Sequence, residues 1–284
     1  MLSGTLAVGC GQCLPCRVNR RSMWTGRILI ESWAHEFSSF WTLTYKDAPY
    51  SLEPSHLKSF HEKIKKRILP RRQRYFSVGE YGDKSGRAHF HCILFGVGAH
   101  ERSLVEKCWT DEEGRSRGFV YSSELDKNRA AYCAGYVIKK LTHPKDDRLS
   151  EGQLPEFCRM SLRPGIGAKA VPLLANAIDG PGIVEACEDV PRGIRIGGKL
   201  YPLGKYLRSK LRDEIGFTEE YKQSLVEKFK NEKSDELSPL FKSAFNVEEG
   251  LSWPERSRFL ADTKKLQAKK LEQKIGQKQK GKVL

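Results

Sequence analysis

Apolar and polar positions along the chain change period several times, and each change marks an element. Val18 to Glu36 has helical spacing, with Val18, Trp24, Ile28 and Leu29 among its apolar residues. Phe40-Trp-Thr-Leu-Thr-Tyr45 is a dense run of aromatic and β-branched residues that predicts a central strand. Ser51 reads as the cap of a helix with Pro54 in its first turn, where Leu57, Phe60, Ile64 and Ile68 recur at helical spacing until Pro70. Arg74 to Glu80 and His89 to Phe95 read as two strands joined by turn residues around Gly82 to Gly86. His100 to Leu125 is looser, with Phe119-Val-Tyr121 as a short edge strand, and Asn128 to Leu141 is a helix stopped by Pro144.

Further on the pattern thins. Lys145 to Gln153 is a polar loop, Ser161-Leu-Arg-Pro-Gly-Ile-Gly167 is a tight turn, and Arg192 to Tyr201 reads as a hairpin around Gly197 and Gly198. A first domain, residues 1–215, is expected to end there. Residues 216–284 form a basic tail, in which Phe217 to Lys233 and Trp253 to Ile275 are polar, weakly periodic helices. Lys264 to Lys282 is rich in Lys and Gln, and about the last ten to fifteen residues are expected to be a disordered arm.

Charge changes the picture next. Fifty Lys and Arg against 35 Asp and Glu leave a net charge of +15, which points to a polyanion, nucleic acid before an anionic membrane surface. Five Trp, ten Tyr and thirteen Phe supply flat faces for unpaired bases. Arg17, Arg21, Lys140, Arg192, Arg195 and Lys199 are candidate DNA contacts, with a solvated surface as the competing reading. No run is long and apolar enough to cross a bilayer, and no signal peptide is read at the start. The eight cysteines are therefore expected to be reduced thiols. Cys10, Cys13 and Cys16 have the spacing of half a zinc knuckle, but no second close pair follows, so packing or turn structure competes with a structural Zn²⁺.

The chemistry concentrates at His89-Phe90-His91. Alternation puts His89 and His91 on one face of the strand and Phe90 on the other. A hairpin closing symmetrically about its loop sets Glu80 opposite His89, so two imidazoles and a carboxylate converge where a divalent ion could bind. Downstream, Tyr132 and Tyr136 are one helical turn apart, with Lys139 a turn beyond. A tyrosine that attacks a phosphodiester stays attached to DNA, leaving a 5′-phosphotyrosine and a free 3′-hydroxyl. A phenol with pKa near 10 needs help, which a Lewis acid on the phosphate would supply and Lys139 would assist. A second tyrosine would serve the rejoining step.

In order, the Phe-Trp-Thr-Leu-Thr-Tyr strand, the His-Phe-His strand and the Tyr-x-x-x-Tyr-x-x-Lys-Lys helix resemble the three motifs of HUH endonucleases. With Cys-Gly-x-Cys-x-x-Cys-Arg, Tyr-Phe-Ser-Val-Gly-Glu-Tyr-Gly and Met160-Ser-Leu-Arg-Pro-Gly-Ile-Gly, roughly residues 8 to 215 resemble the replication initiators of gokushovirus-type microviruses. The resemblance implies an α+β fold, an antiparallel sheet of about five strands with helices packed on it. It implies rolling-circle initiation by nicking the viral strand at the origin of the replicative form, then rejoining to release a single-stranded circle. Host helicase and polymerase would be partners, and the bacterial cytoplasm the location. The metal pair maps onto His89 and His91, the third ligand onto Glu80, and the nucleophiles onto Tyr136 and Tyr132. Tyr136 is expected to act first, because Lys139 follows it by three residues where Tyr132 has Gly135. Ligand type alone favours Mn²⁺ or Zn²⁺, whereas the family implies Mg²⁺ or Mn²⁺. A relaxase, a single-strand transposase or a non-catalytic single-strand or RNA-binding protein are the alternatives.

Overall fold

The computed structural model describes residue 11 and residues 13–83, 85–139, 149–179 and 188–228. The chain divides into two compact units, Arg21–Ile215 and a second made of Met1–Arg20 with Gly216–Leu284. In the second, residues 219–228 are helical. The remainder of the expected tail helices and arm lies outside the described residues.

The unit Arg21–Ile215 is built on a five-stranded antiparallel sheet: β1 (Ser38–Thr44), β2 (Arg74–Tyr81), β3 (Ala88–Phe95), β4 (Val120–Glu124) and β5 (Phe157–Met160), in the order β4-β1-β3-β2-β5. The α+β architecture expected from the sequence is the one observed. β3 lies at the centre and is buried along almost its whole length, which explains its near-continuous apolar sequence. Helices cover both faces. Trp41, Leu43, Phe90, Cys92 and Leu94 point one way and pack on Leu57, Phe60 and Ile64 of α2 (Pro54–Arg67) and on Val105 of α3 (Arg102–Glu106). Phe40, Phe76, Val78, Ile93 and Phe95 point the other way, against Ile28 and Leu29 of α1 (Leu14–Ser32) and Ala130, Cys133 and Ala134 of α4 (Lys127–Lys139). Alternation along each strand thus divides the apolar residues between two cores.

Local chemistry departs from expectation at several places. The residue capping α2 is Glu53, without a side-chain bond to the helix, while the Ser51 hydroxyl accepts from Leu154 N at 2.9 Å. Ser51 therefore ties a loop rather than starting the helix. The short α3 and β5 were not anticipated, nor was α5 (Val171–Asp179). A hairpin of β6 (Gly193–Ile196) and β7 (Lys199–Pro202) is present as expected. Gly197 and Gly198 turn it with φ of +54° and +79°, a conformation with little steric cost only for glycine. α6 (Gly204–Ile215) closes the unit.

The second half of α1 is buried on every side from Thr25 to Glu31. That Glu31 is completely buried shows why the stretch Ser161–Gly167 exists. Glu31 accepts from Gly167 N at 2.6 Å, from Arg74 Nε and from His35 Nε2 at 3.3 Å. Arg74 also donates to Pro164 O at 2.6 Å, and Arg27 Nε to Ile166 O at 2.9 Å. A helix, a strand end and a tight turn are thereby pinned at one ionic centre. Burial alone would raise the Glu31 carboxyl pKa, but His35, Arg74 and the Gly167 amide together hold it below the usual carboxylate value.

Gly26 is the point of closest approach on α1: an added Cβ would lie 2.7 Å from Tyr201 Cβ, and Tyr201 is itself buried. A helical Gly→Ala change ordinarily gains about 1 kcal/mol. Here overpacking, at about 1–3 kcal/mol, opposes the gain. Gly26→Ala is therefore expected to lower the urea midpoint of unfolding; a raised midpoint would show that β7 yields easily.

Candidate metal and tyrosine centre

The β2–β3 register pairs Glu80 with His89 and Val78 with His91. Both histidines and Glu80 thus emerge on the α1/α4 side of the sheet, while Phe90 fills the core beneath. His89 Nε2 lies 2.8 Å and His91 Nε2 2.7 Å from the same oxygen, Glu80 Oε1. Among the described residues this is the group of His, Cys, Asp or Glu side chains whose ligand atoms gather closely enough for an ion, all within 4.8 Å of one another.

The outer nitrogens are also held. His89 Nδ1 is 3.1 Å from the Arg87 carbonyl, and His91 Nδ1 is 3.0 Å from Thr42 Oγ1. A carbonyl only accepts, so Nδ1 of His89 carries a proton and the lone pair of the neutral ring sits on Nε2. That lone pair faces a carboxylate, an arrangement that calls for a proton or a cation between them. Glu80 Oε2, meanwhile, is buried with no hydrogen-bond partner. An ion held by His89, His91 and Glu80 would remove both anomalies, so these residues fit a divalent cation.

Without one, protons act as the counter-charge. Burial works against the Glu80 carboxylate, but bonds from His89, His91 and Tyr132 outweigh it and hold the pKa at about 2. Burial lowers the His89 pKa, and the contacts with Glu80 and the Arg87 carbonyl more than reverse that.

α4 lies directly over the group. Its apolar side, Ala130, Cys133 and Ala134, sits on the sheet, which aims the neighbouring Tyr132 and Tyr136 at the histidines. The Tyr132 hydroxyl donates to Glu80 Oε1 at 2.7 Å and lies 3.4 Å from His91 Nε2. The Tyr136 hydroxyl donates to the Tyr132 hydroxyl at 3.0 Å. Tyr132 is 41% exposed and Tyr136 only 7%. Burial, and then the bond to Glu80, raise the Tyr132 pKa far above that of a free phenol. The tyrosine in contact with the carboxylate is thus the one expected from sequence to act second.

The other expected site residues divide. Lys139 ends α4, with its side chain outside what is described, and Lys140 and Cys10 lie outside the described residues. Cys13 and Cys16 are partly buried and in no disulfide, and Arg17 lies in the first turn of α1. Arg21 donates to the Ala131 carbonyl at 2.9 Å, tying α1 to α4. Arg192, Arg195 and Lys199 are exposed at the β6–β7 hairpin, where Arg195 bonds the Gly198 carbonyl and Lys199 lies over the Tyr201 ring. Thr42 escaped the sequence reading. Its only trace there is a polar position within an aromatic strand.

A five-stranded antiparallel sheet carrying a His-x-His strand, an opposed glutamate and a tyrosine-bearing helix on the same face is an HUH-like fold. Residues 38–141, which include all of these features, match the model of a family described as replication-associated protein ORF2. The chain is 29% identical over 161 residues to the replication-associated protein VP4 of Bdellovibrio phage phiMH2K, covering 50% of this chain and 51% of that protein. It is 29% identical over 150 residues to the replication-associated protein ORF4 of Chlamydia phage 1, covering 46% and 38%. The chain thus spans about half or less of the length of these curated relatives. No solved structure matches. Together these similarities make the chain a relative of the phage replication initiators that its motifs resemble.

Proposed function

We propose that the protein initiates rolling-circle DNA replication by nicking and rejoining a single DNA strand at an origin. The observation that carries this reading is the contact of Tyr132 with Glu80, which sets a partly exposed nucleophile on a preassembled ligand group. His89, His91 and Glu80 would hold the divalent ion, which when bound would stabilise charge on the scissile phosphate. The Tyr132 oxygen forms a bond to phosphorus as the bond from phosphorus to O3′ breaks. The phenol loses a proton and the departing O3′ gains one, so the exchange consumes no water and stores the bond as a 5′-phosphotyrosine. Attack by a free 3′-hydroxyl reverses it and joins the strand. Tyr136, linked to Tyr132 by its hydroxyl, is suited to the second transfer. The Tyr132 contact supports the reverse of the order expected from Lys139.

Residues 1–215 would form the nicking domain and 216–284 an accessory tail, with host helicase and polymerase acting at the resulting fork in the bacterial cytoplasm. In the described residues no helix is long and apolar enough to cross a membrane. Incubation with origin-bearing single-stranded DNA and Mn²⁺ should give a covalent adduct. Binding without an adduct under Mg²⁺, Mn²⁺ or Zn²⁺ would favour a non-catalytic single-strand binder.

Metal binding can be read apart from DNA. At an ion concentration of about 100 times Kd, binding to the folded state alone adds about 2.7 kcal/mol. For a domain of this size that corresponds to a rise in Tm of roughly 5–10 °C. Mn²⁺ is expected to produce the rise in the wild type, and His91→Ala to remove most of it. An equal rise in both would place the ion elsewhere.

A further inference from the structure

On the sheet face that carries the histidines, the half beyond β1 is left open. Its edge carries two exposed aromatics: Phe119, just ahead of β4, is 71% exposed and Tyr121 is 58% exposed. Val120 between them is buried in the opposite core, so Phe119 and Tyr121 share the histidine face. The register connects them to the centre. Phe119 exchanges two backbone hydrogen bonds with Thr44, which pairs with His89, itself paired with Glu80. Tyr121 pairs with Thr42, which pairs with His91. Two parallel rows therefore run from the ligand group to the sheet edge. With strands about 4.8 Å apart, each aromatic sits about 10 Å from its histidine.

A groove of about 450 Å³ follows the first row, lined by Thr42, Thr44, Lys46, Arg87, His89 and Phe119 among others. Arg87 is fixed there by bonds from Nη2 to the carbonyls of Tyr45 and Lys46, at 2.8 and 2.9 Å. Lys46 is exposed. Cations along the floor, flat rings at the rim and continuity with the nucleophile's site describe a surface for one nucleic-acid strand. A protein partner would gain nothing specific from a groove whose inner end is the ligand group.

We infer that Phe119 and Tyr121 are base-stacking residues, holding unpaired bases of the substrate strand beside the scissile phosphate. The inference deepens the nicking reading and rests on its substrate class, single-stranded DNA. It makes Phe119 and Tyr121 positioning residues rather than participants in bond exchange.

The test is fluorescence anisotropy of a labelled, unstructured 12-nucleotide DNA without metal, using the full chain. Phe119→Ala and Tyr121→Ala are each expected to weaken binding about 5- to 150-fold, and Phe119→Tyr to restore most of the loss. Unchanged thermal unfolding would confirm that the folds are equal. A base contact has a further signature. In a series of oligonucleotides with one abasic position each, one should lose affinity with the wild type and lose nothing more with Phe119→Ala. Equal binding by wild type and both Ala variants would overturn the inference, as would wild-type protein that binds no single strand. If binding falls in the variants while no tyrosine adduct ever forms, the stacking inference stands and the nicking reading fails. If the adduct forms and the variants bind normally, the reverse holds. Retention of DNA binding with loss only of self-association would make the aromatic edge a protein contact and overturn the inference.

Discussion

Replacing Tyr132 with Phe is expected to abolish the covalent protein–DNA adduct, a loss on the order of a thousandfold or more in the rate of its formation. Phe keeps the ring on α4, at 5.1 Å from the His91 ring, and removes only the oxygen that would bond phosphorus. Tyr136→Phe should leave first cleavage largely intact and impair the rejoining that releases a circle. Exposure decides between the two, because a 7% exposed phenol whose hydroxyl is spent on Tyr132 reaches a bound strand only if α4 shifts. Gel analysis of denatured adducts with each single variant reads the order directly. If Tyr136→Phe abolishes the adduct and Tyr132→Phe keeps it, the order expected from Lys139 is the true one. An adduct from the double variant would remove both tyrosines from the chemistry.

The second large effect is on folding. Glu31→Gln is expected to destabilise the protein by about 3–5 kcal/mol, because Arg74 is then left buried with its charge uncompensated. Against a typical total stability of about 5–15 kcal/mol, that is enough to unfold a marginal domain. Arg74→Met should cost a similar amount, and the two changes together less than their sum, since the pair is lost only once. The pH dependence has a definite sign. Glu31 has a lowered pKa in the folded state, so its contribution is present above the unfolded carboxylate value near 4.5 and is lost as pH falls through the lower folded value. The gap between wild type and Glu31→Gln in urea midpoint should therefore be widest at neutral pH and narrow below about pH 4. A gap that widens on acidification would show that Glu31 is protonated in the native state.

Much of the candidate site was legible because it is local. A turn between two alternating runs fixes which residue faces which, so Glu80 and His89 could be paired from sequence, and i, i+4 spacing alone put Tyr132 beside Tyr136. What escaped depends on elements far apart in the chain. The pairing of β1 with β3 spans about fifty residues, and only that pairing brings Thr42 to His91. Glu31 sits on a helix rich in arginine and reads as solvent-facing until the turn at Pro164–Gly167 closes over it. β5 is four residues long, too short for alternation to register. Sequence and structure favour opposite orders for the tyrosines for a related reason: a neighbouring lysine is visible in sequence, while the depth of a phenol is not.

Because His89 and His91 share a strand with Phe90, the ligand-bearing surface and the α2-side core are two readings of the same eight residues. Sliding β3 by a single step would drive both imidazoles into hydrocarbon and leave a benzene ring where the carboxylate expects a partner. Evolution or design can lengthen the Asp83–Gly86 connection without harm, so long as the ladder on either side keeps count. A residue gained or lost inside β3 is a different kind of change, one that erases the centre while leaving the composition of the strand almost untouched.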